Sequence, residues 1–249
     1  MRVTFAGTGN AANFEGRGHQ ALLVASGSTE ILVDCGPTAL YNLLRFGYPP
    51  DRLEHLFLTH FHGDHTGGIP YLLLYLRDVS GRTSTPLTIY GGAGVEEHVH
   101  AVLNAAYPGI TFPFPVQFEE LTPGQERFLD DTPFVLFPME ITHRPESLGF
   151  RFSDASHTVA ISGDTGPGPH LDTLISGVSL AIMELTLSAP APGLAHMDPE
   201  AASLLLTRHP ALLFTFIHSH DAARQALPAL GRVSRDAALR IERFSTDTQ

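Results

Sequence analysis

Apolar residues recur along the chain in two alternating rhythms. Short runs rich in Val, Ile, Leu and Phe read as strands near 2–6, 20–25, 30–34, 56–59 and 87–90. Between them lie stretches with helical spacing. One surrounds Leu40, Leu43 and Leu44 and stops at Gly47; another places Val95, Val99, Val102, Leu103 and Ala106 on one face. The run Pro70-Tyr71-Leu72-Leu73-Leu74-Tyr75-Leu76 reads as a buried helix, with Tyr71 and Tyr75 near enough in sequence to the histidines before it to line a pocket. After the proline-rich stretch Pro108 to Pro115 the pattern starts again, with strands at about 116–121, 134–142, 148–153 and 157–162. The last two are joined around Asp154-Ala155-Ser156 as a tight hairpin. Helices near 168–176, 199–208 and 221–230 then alternate with strands at 178–183, 211–217 and 238–243. With no internal repeat or low-complexity linker, residues 1–249 read as one domain whose two αβ halves meet near 108–115. Strands with covering helices in each half predict an α/β fold: two sheets face to face with helices outside, a four-layered αββα sandwich.

Composition removes several classes of function. The chain has 15 cationic side chains, all Arg, against 26 carboxylates, a formal net charge of −11. Broad, non-specific binding to nucleic acid or anionic membranes rests on basic surface, which this charge opposes. Cys35 is the single cysteine, so neither an intrachain disulfide nor a Cys-rich zinc module is available, and it reads as a small packed residue. No apolar run is long enough for a signal-peptide core or a membrane span; a reducing cytoplasm is the expected location. Histidine is the unusual entity: the fourteen are gathered in places rather than scattered.

The densest gathering is Leu56-Phe57-Leu58-Thr59-His60-Phe61-His62-Gly63-Asp64-His65, an apolar strand running out into three histidines and an aspartate. With 14 His and 13 Asp in 249 residues, chance would place His-x-His-x-Asp-His somewhere with a probability of roughly 0.002. Imidazole nitrogens beside a carboxylate suit zinc and related divalent ions. His60 and His62, alternate residues of an extended segment, point the same way, while Asp64 and His65 lie past Gly63, where the chain can bend toward a second point. The spacing favours two adjacent metals.

The signature, following its apolar strand, resembles the metallo-β-lactamase-fold hydrolases. Further segments are similar to the ribonuclease Z-like phosphodiesterase branch: Val3-Thr4-Phe5-Ala6-Gly7-Thr8-Gly9, Ile31 to Gly36, Pro86 to Gly91, Ile161-Ser162-Gly163-Asp164-Thr165, Met183-Glu184-Leu185-Thr186, and His196 leading into Glu200-Ala201-Ala202. The resemblance implies one metal site of His60, His62 and His143, a second of Asp64, His65 and His218, and Asp164 bridging both. His143, Asp164 and His218 each follow an apolar strand, where loops converge at a sheet edge. His220, two residues past His218, remains a second candidate for the last ligand. Asp34 matches a family aspartate behind the ligands and would orient an imidazole.

By the same resemblance His196 is the candidate general acid, opening a helix that Asp198 or a neighbour could cap, and Asp64 both binds metal and accepts the proton of the attacking water. Zinc fits the donors best; manganese, iron or cobalt suit the same set. The implied reaction is hydrolysis of a small phosphodiester, a cyclic nucleotide or a short RNA. The family enzymes that mature transfer RNA carry a long arm between the segments matching Gly149-Phe150-Arg151-Phe152 and Gly163-Asp164-Thr165, where this chain has a hairpin of a few residues. Met197-Asp198 also replaces the usual small hydroxyl residues. Transfer RNA is therefore a doubtful substrate. The alternatives are hydrolysis of a lactone, thioester or aryl sulfate on the same fold, or metal binding without catalysis. Phe112, Phe114 and Phe118 read as core packing, with a cleft cover or a homodimer contact as alternatives; His98 and His100 are expected on the outer face of their helix.

Overall fold

The structure, a computed structural model, describes residues 1–13, 16–219, 222–223 and, for the backbone, 240–243. His220 and the helix expected over 221–230, apart from 222–223, lie outside the described residues. One sheet runs in the order β13 (Arg240–Arg243), β1 (Arg2–Gly7), β2 (Ala21–Ser26), β3 (Thr29–Val33), β4 (His55–Phe57), β5 (Leu87–Gly91) and β6 (Val116–Glu120). The other runs β12 (Leu213–Ile217), β11 (Leu180–Glu184), β10 (Thr158–Ile161), β9 (Leu148–Ser153), β8 (Val135–Glu140) and β7 (Arg127–Phe128). Helices α1 (Ala39–Arg45), α2 (Gly63–Thr66), α3 (Ile69–Asp78) and α4 (Val95–Ala106) accompany the first sheet; α5 (Pro169–Ile175) and α6 (Pro199–Arg208) accompany the second.

Alternation along the strands builds the layers. Ile31 and Val33 point between the sheets, where Phe5, Val24 and Phe57 meet Leu136, Phe150, Phe152, Ile161 and Ile182. Leu32 points the other way, packing with Leu56 and Ile89 against Leu43, Leu72 and Val99 of the first helices. On the second sheet Ala181 and Met183 pack outward against Leu171, Leu174 and Leu205. The three apolar layers separate four layers of secondary structure, the αββα sandwich. Burial on both faces is why the strands read as near-continuous apolar runs. Phe57 sits at the centre, stacked on Tyr90 at 4.3 Å with Phe150 and Phe152 edge-on.

Several details differ from the sequence expectation. The strand after Pro115 pairs in parallel with β5, so the chain leaves the first sheet beyond Glu120, later than 108–115. Tyr71 is half exposed and edge-on to Tyr107, and the Tyr75 hydroxyl donates to Asp51. Phe114 is core; Phe112 and Phe118 are partly buried and line a groove of about 890 Å³ with Tyr107 and Leu103. Asp198 does cap α6, accepting from the Glu200 and Ala201 amides. Among the described residues no helix is long and apolar enough to cross a membrane.

Candidate metal centre

β3, β4 and β5 run parallel in one sheet, and β10, β11 and β12 in the other. Ligand sites form at the carboxyl ends of such strands, and here the ends supply Asp34, His60, Asp164, Glu184 and His218. After β4, the Thr59 amide and hydroxyl donate to the buried Asp34 carboxylate. The chain stays extended through His62, whose carbonyl accepts from the His65 and Thr66 amides, and the single turn of α2 swings Asp64 and His65 round. Across the sandwich, Gly163 takes φ +60° with its Cα packed on the Thr59 side chain; an added Cβ would lie 2.6 Å from Thr59 Cβ. His218 stands just past β12 at φ +54°, a conformation uncommon for a residue with a side chain and enriched at functional sites.

All seven nominated side chains converge. One donor atom each from His60, His62, His143 and Asp164 lie within 4.8 Å of one another, and so do donors of Asp64, His65 and His218. Asp164 lies between the sets, 3.3 Å from His65 Nε2 and 3.8 Å from His60 Nε2. The far nitrogen of four imidazoles is already engaged. His65 Nδ1 lies 2.8 Å from Asp34, His143 Nδ1 donates to the Ala195 carbonyl at 3.0 Å, and His60 and His218 Nδ1 meet the Thr59 and Thr186 hydroxyls at 3.1 and 2.9 Å. That outer ring fixes tautomers and aims the remaining nitrogens inward.

The inward atoms carry the fit test for a divalent ion. His60 Nε2, His65 Nε2 and Asp164 Oδ1 are buried without a hydrogen-bond partner. Orphaned buried polar atoms are rare and costly, and three facing one point call for a cation. Burial, with the neighbouring His65, pushes the His60 imidazole far below its ordinary range, so it stands neutral with a lone pair to give. Burial would raise Asp164, but His218, His65 and His60 hold its carboxyl well below the usual carboxylate range.

A second arrangement adjoins the first. His196 Nδ1 lies 2.7 Å from Glu184 Oε1, and Glu184 also accepts from the Thr165 and Thr186 amides. Burial lowers the His196 imidazole, but Glu184 beside it, then Asp164 and Asp64, more than offset this and raise it above its ordinary value. Glu184 is the residue that sequence reasoning passes over: its segment is noticed, but no spacing ties it to His196. Asp34 stands behind His65 as expected, 2.8 Å away. His98, expected outward, is half buried and stacked on Phe61 at 4.6 Å, with Nε2 3.0 Å from the Thr66 hydroxyl; His100 is exposed.

Comparison with known proteins agrees with this architecture. The profile of the β-lactamase superfamily domain matches residues 29–219. Ribonuclease BN of Cronobacter sakazakii is 31% identical over 209 residues, covering 78% of this chain and 67% of that protein. Ribonuclease Z of Limosilactobacillus fermentum is 32% identical over 160 residues, covering 63% of this chain and 50% of its relative, so the chain spans half the length of that enzyme. The short form of human tRNase Z superposes with a TM-score of 0.75 at 25% identity, covering 90% of this chain and 93% of that one. The chain belongs to the β-lactamase superfamily, and within it to the metal-dependent hydrolases of the ribonuclease Z-like branch.

Proposed function

We propose that the chain hydrolyses a small phosphodiester, such as a cyclic nucleotide or short RNA, with two divalent ions, zinc foremost, held by the seven converging side chains. The observation that carries this reading is the trio of buried, unpartnered donors, His60 Nε2, His65 Nε2 and Asp164 Oδ1, at the meeting point of two ligand sets. His60, His62 and His143 would hold one ion, Asp64, His65 and His218 the other, with Asp164 shared. Ions bound there supply Lewis acidity and charge neutralisation at phosphoryl oxygens.

The remaining chemistry belongs to side chains. Asp64, held in its ionised form mainly by His218 and His65 against the effect of burial, is placed to take the proton of the attacking water. Glu184 holds His196 by Nδ1, leaving Nε2 to face the substrate with a proton for the departing oxygen. The raised His196 keeps that proton toward neutral pH, which a general acid needs. Four residues, Asp154 to His157, join β9 to β10, and the net charge is −11. Both favour a compact substrate over transfer RNA, although the relatives are named for ribonucleases.

The test is turnover of bis(p-nitrophenyl) phosphate by metal-loaded protein and by Asp164→Ala. The expected result is turnover that a chelator removes, zinc restores and the variant lacks. No turnover by fully metallated protein would sink the phosphodiesterase reading and favour the lactone, thioester or sulfate alternatives.

A further inference from the structure

The rim of the site is uneven, and on one side it exposes carbon. Between Leu187 and Met197 the backbone leaves the second sheet and returns on itself, the Leu187 amide donating to the Met197 carbonyl at 2.9 Å. The loop closed by that bond reads Ser188-Ala189-Pro190-Ala191-Pro192-Gly193-Leu194-Ala195, without one charged side chain. Its far end is pinned to the metal centre, where the Ala195 carbonyl accepts from His143 Nδ1 at 3.0 Å. The Leu194 amide donates to the Ala191 carbonyl at 3.1 Å, and two prolines restrict the backbone further. Yet this apolar loop is not folded onto the core: Ala189, Pro190 and Pro192 are exposed, and Leu194 is 57% exposed.

A single exposed leucine carries little meaning. This one stands two residues from His196, at most about 7 Å along the backbone. Because Glu184 occupies Nδ1 of His196, Nε2 is the nitrogen left for substrate. His196 directly follows Ala195, which places the group that receives its proton near the carboxyl end of this loop.

We propose that the 188–195 loop, with Leu194 foremost, is the leaving-group subsite and selects a neutral, apolar alcohol, aryl or nucleoside in kind, over an anionic one. The inference rests on the phosphodiesterase reading for the direction of proton transfer. In the step concerned, water oxygen bonds to phosphorus, the ester P–O bond breaks, and its oxygen leaves with the His196 proton. A charged leaving group, such as RNA continuing through further phosphates, would meet a loop that itself carries no cation and would strip water from it.

Two chromogenic diesters of thymidine 5′-phosphate test this, their leaving phenols matched in acidity, one neutral and one carrying a sulfonate. The expected kcat/KM ratio is about tenfold or more in favour of the neutral phenol. It should fall toward unity in Leu194→Asn and, less steeply, in Leu194→Ala, and should survive raised salt. Collapse of the ratio with salt would assign it to the net charge of −11 and overturn the proposal. A ratio near one, or one unchanged in both variants, would overturn it as well.

A fluorine NMR titration of metal-loaded protein with a neutral fluorophenol reads the loop without turnover. Binding that weakens in Leu194→Asn supports the subsite even if neither diester is hydrolysed, an outcome that would sink only the phosphodiesterase reading. Binding indifferent to Leu194 would remove the subsite.

Discussion

The two sheets contribute to the centre in different ways. From the first come four candidate ligands within six residues, His60 to His65, carried on one strand end and one turn and braced from behind by Asp34 through Thr59 and His65. From the second come His143, Asp164 and His218, one per strand end and each in its own loop; the Ala195 carbonyl steadies His143 and the Thr186 hydroxyl steadies His218. Local sequence makes the first half of the centre, and the second exists only when β8, β10, β11 and β12 have assembled. The first should therefore fail through its single brace, and the second piece by piece.

Asp34→Ala is the largest expected break. The carboxylate is fully buried, accepts from the Thr59 amide and hydroxyl, and faces His65. Removing it strands those groups, a loss of about 3–5 kcal/mol in the unfolding free energy, with divalent-ion affinity falling about 10–100-fold. Denaturant unfolding beside a zinc titration checks both; a loss under about 1 kcal/mol would show that the brace is not what holds the signature.

The second sheet's piecewise support predicts more selective damage. His218→Ala should weaken ion binding at the Asp64 and His65 group by at least tenfold while the His60, His62 and His143 group keeps its ion, and His220→Ala should alter neither. Metal content after dialysis, read ion by ion, decides; the reverse pattern would move the last ligand to His220. Glu184→Gln should act on rate. Without the carboxylate that raises it, the His196 imidazole falls toward its ordinary value, so the alkaline limb of the kcat/KM profile should move to lower pH. The loss should be about 10–100-fold for an alkyl leaving group and smaller for p-nitrophenolate, which departs without a proton. Equal losses for both would make Glu184 structural only.

The same contrast governs what could be read from the sequence. His60 to His65 are legible because their donors are neighbours along the chain, and the strands are legible as near-continuous apolar runs because both faces of each sheet are buried. His143, Asp164 and His218 are visible as strand-end residues, but nothing local joins them; resemblance supplied the grouping. Glu184 and His196 are twelve residues apart across a closed loop, and their 2.7 Å contact depends on how that loop returns. His98 looks outward by helical period, yet Phe61 reaches it from the signature segment. Pro108 to Pro115 breaks the local pattern without changing the sheet, because β6 still finds β5. In each of these cases a partner distant in the chain decides.

The smallest expected effect lies farthest from the site, where the two sheets are tied at the β9–β10 hairpin. Asp154 accepts from the Ser156 and His157 amides on one oxygen and from the Ser26 hydroxyl of β2 on the other, with the Met1 amine 3.4 Å away. Burial would raise its carboxyl, but these donors more than offset that and lower it to about 2. A carboxyl held lower in the folded state stabilises above its unfolded pKa and loses that contribution as pH falls through the folded one. Allowing for solvent screening, the contribution is about 1–2 kcal/mol, present above about pH 4 and lost toward pH 2. Asp154→Asn should lower stability by that amount at neutral pH, converge with the parent protein near pH 2, and leave turnover unchanged. Unfolding curves that stay parallel across that range would show that the tie between hairpin and β2 does not depend on the charge. A fall in turnover would mean that the hairpin reaches the catalytic edge from the opposite end of the strands.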